Sequence, residues 1–226
     1  LVLIWAMLPA VAWAAAGDPV PLIILLGTSG LAWLLRESES WEFTLLAAIV
    51  IGVGIEIYLR VQPAMLDTVF LQMEAYLIEN NVQGLQLEDF RGTLTSFIGA
   101  VYMFLAIILL MLARWMQAAL YNPGGFREEF HKLRVEQKMA LLLVGLMLLA
   151  NFEVLIPQTW VLYLLLPLIF SGVALIHAVV AAKQLSSRWL VAFYAFIMLP
   201  SVVYMVVLLA LFDSWYDFRA RLQKPV

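Results

Sequence analysis

Long runs of apolar residues, separated by short polar stretches, extend over almost the whole chain. Because about 20 apolar residues in a helix cross the hydrocarbon core of a bilayer, runs without Asp, Glu, Lys or Arg indicate candidate spans. Three runs are long enough, and they predict spans over residues 92–113, 160–182 and 189–212. Four further segments are shorter or carry a polar residue. They are residues 1–16, 20–35, 43–59 and 139–156.

The apolar runs do not alternate with polar residues, as the strands of a membrane β-barrel would. Residues 105–112, for example, are apolar throughout. The pattern therefore predicts an all-α protein, a polytopic transmembrane helical bundle with about seven hydrophobic segments in one domain over residues 1–226. Since the chain opens inside an apolar run, we expect further N-terminal sequence to precede it.

Two extramembrane loops, residues 60–91 and 114–138, separate these segments. In the first loop, apolar residues recur with the spacing of one helix face and predict an amphipathic helix over residues 64–79. Its polar face is acidic, which is unsuited to binding anionic lipid. This helix either packs over the mouth of the bundle or acts as a lid over a cavity.

The second loop contains a strong helix breaker, Asn122-Pro123-Gly124-Gly125. Beyond it, apolar side chains at i, i+4 and i+7 predict a short interfacial helix. This helix either fixes the bundle at the lipid headgroups or forms a docking surface for a partner subunit. The docking candidates are Arg114, Asn122, Phe126, Arg127, Phe130 and Arg134.

Composition narrows the class of protein. The chain is 65% hydrophobic and 13% charged, against about 45–50% and 25% in soluble domains, which excludes a soluble enzyme. A net charge of −3 excludes a nucleic-acid binder, which needs a basic face. With no cysteine, two histidines and no catalytic motif, we expect no enzyme activity, no cofactor and no metal site. The lipid bilayer is the expected partner.

The distribution of Lys and Arg gives conflicting indications of orientation. If all seven segments cross, one side of the membrane collects eight of these residues and the other side five. The positive-inside rule then places the 114–138 loop in the cytoplasm. Three crossings separate that loop from the C-terminal tail, yet the tail is also basic, with Arg219, Arg221 and Lys224.

Ionisable and polar residues within apolar segments are candidate site residues, because burying them without partners is costly. Glu56 either pairs with Arg60 at i+4 or contacts a ligand or ion. His177 lies among small residues that allow close helix packing. Pro200 interrupts the last span, and Ser201 and Tyr204 follow it. We expect a cavity near Glu56, His177 and Tyr204, beneath the 64–79 helix.

Two stretches resemble a known family. Residues 114–134 read RWMQAALYNPGGFREEFHKLR, and residues 213–221 read DSWYDFRAR. Both resemble the YybS-like family of uncharacterised multi-pass membrane proteins. The resemblance implies the bacterial cytoplasmic (inner) membrane, and a distant similarity to substrate-binding subunits of energy-coupling-factor transporters, which use separate ATPases. No binding residue of those subunits is matched.

The polar residues within apolar segments and the prolines in two of the spans, together with the resemblance, favour a substrate-binding or transport-related subunit. Other membrane or ATPase subunits are then candidate partners. The alternative is a non-catalytic structural or accessory subunit of a larger membrane complex. The many Leu, Val, Phe and Trp side chains suit lateral contacts of that kind.

Overall fold

A computed structural model describes residues 19–80 and 87–222, together with residues 7, 9–11, 13–15 and 17. Within these ranges the regular structure is helical and contains no strand, which confirms the all-α class. From residue 19 onward the helices are α1 (Val20–Ser38), α2 (Trp41–Val61), α3 (Ala64–Glu79), α4 (Leu87–Tyr121), α5 (Gly125–Lys132), α6 (Gln137–Asn151), a 3-10 turn (Gln158–Trp160), α7 (Val161–Ala182), α8 (Arg188–Phe196), α9 (Pro200–Tyr216) and α10 (Phe218–Leu222).

Among the described residues, four helical stretches are long and apolar enough to cross a membrane. They are Val20–Ser38, Trp41–Val61, Phe90–Tyr121 and Gln158–Ala182. A fifth is reached if α8 and α9 are counted as one span. The predicted segments 20–35, 43–59, 92–113 and 160–182 each fall within one of these four stretches. The predicted segment 1–16 lies largely outside the described residues.

Two predicted segments have a different form in the structure. The 139–156 segment is the 15-residue helix α6, which ends at Asn151, and Glu153 and Leu155 then adopt positive φ angles. The 189–212 segment is not one straight span, because α8 and α9 meet at a bend of 116°. Pro200 begins the second helix, where its missing N–H costs no hydrogen bond.

The two loop helices lie close to where periodicity predicted them. Helix α3 covers residues 64–79, and its buried Leu66 and Phe70 pack in one cluster with Ile55 and Leu59 of α2. Helix α5 follows the Asn-Pro-Gly-Gly break, and Gly124 supplies the positive φ of 93° that begins it. Glycine adopts this conformation without a steric penalty.

Contacts between loops show which helix ends lie together. The rings of Trp41 and Phe126 meet edge to face, with centroids 6.3 Å apart. The N–H of Glu136 donates to Glu42 Oε1 at 2.6 Å. The rings of Phe130 and His177 have centroids 5.3 Å apart. The start of α2, helix α5 and the last turns of α7 therefore share one end, here called the basic end.

The C-terminal tail lies at the basic end as well. Arg134 pairs with Asp217 at 2.8 Å, and the Ser214 hydroxyl donates to the Val135 carbonyl at 2.6 Å. Helix α8 starts shortly after α7 finishes, so the bent α8–α9 pair begins and ends at the basic end. The predicted conflict over orientation depends on counting residues 189–212 as a crossing, and the contact between Arg134 and Asp217 instead places the loop and the tail side by side.

Basic residues are unevenly divided between the two ends. Among the described residues, ten Lys and Arg lie at the basic end: Arg36, Arg114, Arg127, Lys132, Arg134, Lys138, Lys183, Arg188, Arg219 and Arg221. The opposite end comprises the last turns of α2, helix α3, the start of α4 and the turn before α7, and is here called the acidic end. Of the described Lys and Arg, it holds two, Arg60 and Arg91.

Candidate functional site

Glu56 forms a buried polar centre near the acidic end. Its side chain is 1% exposed, and Arg60 donates to its Oε1 from Nε at 2.9 Å and from Nη2 at 2.6 Å. The Tyr163 hydroxyl donates to its Oε2 at 2.7 Å. The pairing with Arg60 that the i+4 spacing predicted is therefore present, and Tyr163 is a partner that sequence reasoning missed.

Two glycines allow Tyr163 to reach Glu56. A Cβ atom on Gly52 would lie 2.7 Å from ring carbon Cε1 of Tyr163 and 3.1 Å from the Gly99 carbonyl oxygen. A Cβ atom on Gly99 would overlap the Tyr163 hydroxyl. Helices α2 and α4 therefore approach closely enough to hold the fully buried ring of α7 between them. Gly52 was the sequence signal for this close packing, since small residues mark close helix contacts.

A pair of glycine substitutions tests this packing. We expect Gly52→Ala to lower the free energy of unfolding by about 1–3 kcal/mol, because the added methyl group overlaps a ring that cannot move aside. Gly54→Ala, on the same helix, has no atom within 4 Å of its new Cβ and should be neutral or stabilising by up to about 1 kcal/mol. Unfolding titrations in detergent micelles measure both changes, and equal stabilities would contradict the packing.

The other predicted site residues do not join Glu56. His177 Nε2 lies 2.8 Å from the Tyr194 hydroxyl, and His177 is 14 residues beyond Tyr163 on α7. At 1.5 Å per residue, about 21 Å of helix separates it from the Glu56 centre. Tyr204 is 63% exposed, and Ser201 is exposed as well. The prediction that Glu56, His177 and Tyr204 share a cavity beneath the 64–79 helix is therefore wrong.

A large polar cavity lies instead at the basic end, between α1, α2, α4 and the α5–α6 region. Its volume is about 1070 Å³. Its basic lining residues are Arg36, Arg114, Lys132 and Arg134. Its acidic lining residues are Glu39, Glu42, Glu129 and Glu136. A cavity with balanced charges of both signs suits a polar or zwitterionic solute better than an apolar one.

Some of these charges are already used within the chain. Arg114 donates to both carboxylate oxygens of Glu129, with its Nε 2.9 Å from Oε2, and to Gln117 at 2.8 Å. Arg134 pairs with Asp217. Within the described part of the chain, Arg36 and Lys132 form no ion pair or side-chain hydrogen bond. Their charges therefore remain available to a ligand in the cavity.

The predicted docking residues mostly make contacts inside the chain. Phe126 and Phe130 stack with centroids 6.0 Å apart and pack against the core, while Arg114 and Arg134 have the partners given above. Asn122 and Arg127 remain exposed. These contacts favour the interpretation of the loop as an element that fixes the bundle.

A second buried ion pair, Asp213–Arg219, holds the C-terminal tail. Asp213 is fully buried and Arg219 is 8% exposed, and Oδ2 and Nη1 lie 3.2 Å apart without hydrogen-bond geometry. Arg219 Nη2 donates to the Ser171 carbonyl at 3.0 Å, and the Phe218 N–H donates to Asp213 Oδ1 at 2.9 Å. Burial lowers the pKa of Arg219, while Asp213 acts in the opposite direction.

No protein-family model, curated protein or solved structure matches this chain. Among the described residues, no group of three or more His, Asp or Glu side chains is placed to hold a metal ion.

Proposed function

We propose that this chain is an integral membrane protein, a substrate-binding or transport-related subunit whose ligand occupies the cavity at the basic end. The observation that carries the proposal is the cavity itself, a space of about 1070 Å³ between apolar helices with charges of both signs on its wall. Four charged side chains on this wall that have no ion-pair partner among the described residues are exposed, so they can reach a polar solute that enters the cavity. Arg36 and Lys132 supply positive charge, and Glu39 and Glu136 supply negative charge.

The proposal includes an orientation and a location. The positive-inside rule counts Lys and Arg near the ends of spans, and the excess of these residues at the basic end puts that end in the cytoplasm. The proposal also includes three expectations from the sequence: that the membrane is the bacterial inner membrane, that the chain has about seven hydrophobic segments, and that it belongs to the YybS-like family. They rest on the apolar pattern and on the two resembling stretches.

Blocking the cavity tests the proposal. Ala113 lines the cavity on α4, whereas Ala119 is an exposed residue further along the same helix and does not line it. We expect protein purified from native membranes to carry a small molecule detectable by native mass spectrometry. Ala113→Trp should reduce its occupancy at least tenfold, and Ala119→Trp should retain it. Equal occupancy in the two variants, or no bound molecule in the unsubstituted protein, would contradict this function.

A non-catalytic accessory subunit is the second candidate, and helix α8 is the observation that favours it. This helix has no buried residue, and its large apolar side chains, including Trp189, Val191 and Phe196, are exposed. Such a surface faces either lipid or a neighbouring membrane subunit. Crosslinking in native membranes from a photoreactive residue at position 191 distinguishes the two, because a stoichiometric protein adduct supports the accessory role and lipid adducts alone count against it.

A further inference from the structure

The two carboxyl oxygens of Glu56 have unequal surroundings. Both Arg60 donors reach Oε1, whereas the strongest arginine–carboxylate geometry engages both oxygens in parallel. Oε2 meets only the hydroxyl of Tyr163, at 2.7 Å, among the contacts of the described residues. The carboxyl group therefore keeps one oxygen that is not saturated by positive charge.

The Tyr163 hydroxyl lies between two acceptors. Its oxygen is 2.7 Å from Glu56 Oε2 and 3.0 Å from the Ser96 carbonyl oxygen. A phenol has one proton to donate and lone pairs with which to accept. While Glu56 is ionised, the hydroxyl serves one acceptor fully and leaves the other. With a proton on Oε2, Glu56 donates to Tyr163, and Tyr163 donates to Ser96, so that both short contacts are hydrogen bonds.

We propose that Glu56 Oε2 is a reversible proton-binding site, and that Tyr163 stabilises its protonated form by turning its hydroxyl toward Ser96. The step adds one proton from water to the carboxylate, giving a neutral carboxylic acid. The phenol O–H bond is kept and only rotates. This site is distinct from the basic-end cavity, because Trp41 of the cavity wall lies 15 residues before Glu56 on α2, or about 22 Å along the helix.

The surroundings place the Glu56–Arg60 pair within reach of the acidic-end surface and are otherwise largely apolar. The Arg60 side chain is 49% exposed, so the pair reaches the acidic-end surface. Helix α1 contributes Val20 and Ile24 to the cluster around this part of α2, and α3 contributes Leu66 and Phe70. From α4, Ser96 faces the site, and its hydroxyl donates to Thr159 at 2.8 Å.

A second ion pair at this end lies outside the centre. Asp67 of α3 pairs with Arg91 of α4 at 2.7 Å, and both side chains are partly exposed. Among the described residues, the ionisable groups in contact with Glu56 are therefore Arg60 and Tyr163. The Arg60 charge opposes protonation, and the Tyr163–Ser96 arrangement favours it.

Infrared difference spectroscopy of the whole chain in lipid nanodiscs tests this site. Lowering the pH should produce carboxylic-acid C=O bands from the 16 Asp and Glu residues of the chain, and one of these bands should be lost in Glu56→Gln and retained in Asp67→Asn. Tyr163→Phe removes the acceptor of the carboxyl proton and should shift the band to higher frequency. Carboxyl-¹³C glutamate should shift the band to lower frequency without any substitution, so the assignment to glutamate does not depend on the folding of Glu56→Gln.

Three results would overturn the inference. The first is a set of carboxylic-acid bands that is unchanged in Glu56→Gln while circular dichroism shows intact helices. The second is a Glu56-dependent band that ¹³C-glutamate does not shift. The third is a Glu56-dependent band with the same frequency in Tyr163→Phe as in the natural chain, which would remove Tyr163 from the site.

Discussion

Single cysteines at the two ends of the bundle should react with a membrane-impermeant maleimide from opposite sides of the membrane. The natural chain contains no cysteine and serves as its own background. Glu128→Cys on α5 and Ala220→Cys in the tail should label only from the cytoplasmic side. Tyr76→Cys on α3 should label only from the other side. All three positions are exposed, so we expect near-complete labelling from one side and background labelling from the other.

Ala220→Cys decides the path of the α8–α9 pair. If the pair begins and ends at the basic end, residues 128 and 220 label from the same side. If residue 220 labels with residue 76 instead, the pair crosses the membrane and the contact between Arg134 and Asp217 does not form. Labelling after the membrane is dissolved in detergent is the control, because all three cysteines should then react.

The sequence predicted best those helices that are defined by the pattern of residues within the segment itself. Periodicity of 3.6 residues defines α3 without reference to any other helix, and its bounds of 64 and 79 agree with the structure. The number of apolar residues likewise locates α2 and α7. The length of an apolar stretch does not show, however, whether it forms one straight helix. The 24 residues from 189 to 212 contain no Asp, Glu, Lys or Arg and satisfy the criterion for a span, yet Pro200 allows them to form two helices that meet at 116°.

The candidate sites likewise include contacts that local spacing predicts and contacts between residues far apart in the sequence. Arg60 is one helical turn from Glu56, so their pairing follows from spacing. Tyr163 is 107 residues away from Glu56 along the chain, and nothing in its local sequence distinguishes it from a tyrosine at the membrane interface. The cavity is built from side chains of four regions that are far apart in sequence, and hence its position could not be predicted without the packing of those helices.

The packing of the helices separates acidic from basic residues in a way that the net charge does not reveal. The net charge of −3 is small, but the helices separate the charges that compose it. Seven acidic and two basic described residues lie at the acidic end. The sequence alone showed that the 60–91 loop is acidic. That the basic tail lies at the same end as the basic 114–138 loop follows only from the structure, in which Asp217 of the tail contacts Arg134. The resulting asymmetry supports a single orientation in the membrane.

The largest expected change in stability comes from Arg219→Met. Asp213 is fully buried, and removing its only cationic partner among the described residues leaves an uncompensated charge inside the bundle. Breaking such a buried pair costs about 3–5 kcal/mol. We expect this loss in unfolding titrations in detergent micelles, together with faster proteolysis of the tail. Arg221→Met is the matched control, because Arg221 is exposed two residues further on and should change stability by less than about 1 kcal/mol.

A double substitution separates loss of the ion pair from loss of arginine packing. Asp213→Leu combined with Arg219→Met removes both charges, and replacing a buried ion pair by apolar residues is often neutral or stabilising. The double variant should therefore recover most of the stability lost in Arg219→Met. Recovery would show that the stranded carboxylate causes the loss. If the double variant is as unstable as the single one, the tail is held by hydrogen bonds to the backbone rather than by the charge of Asp213. These bonds run from Arg219 to the Ser171 carbonyl and from the Phe218 N–H to Asp213.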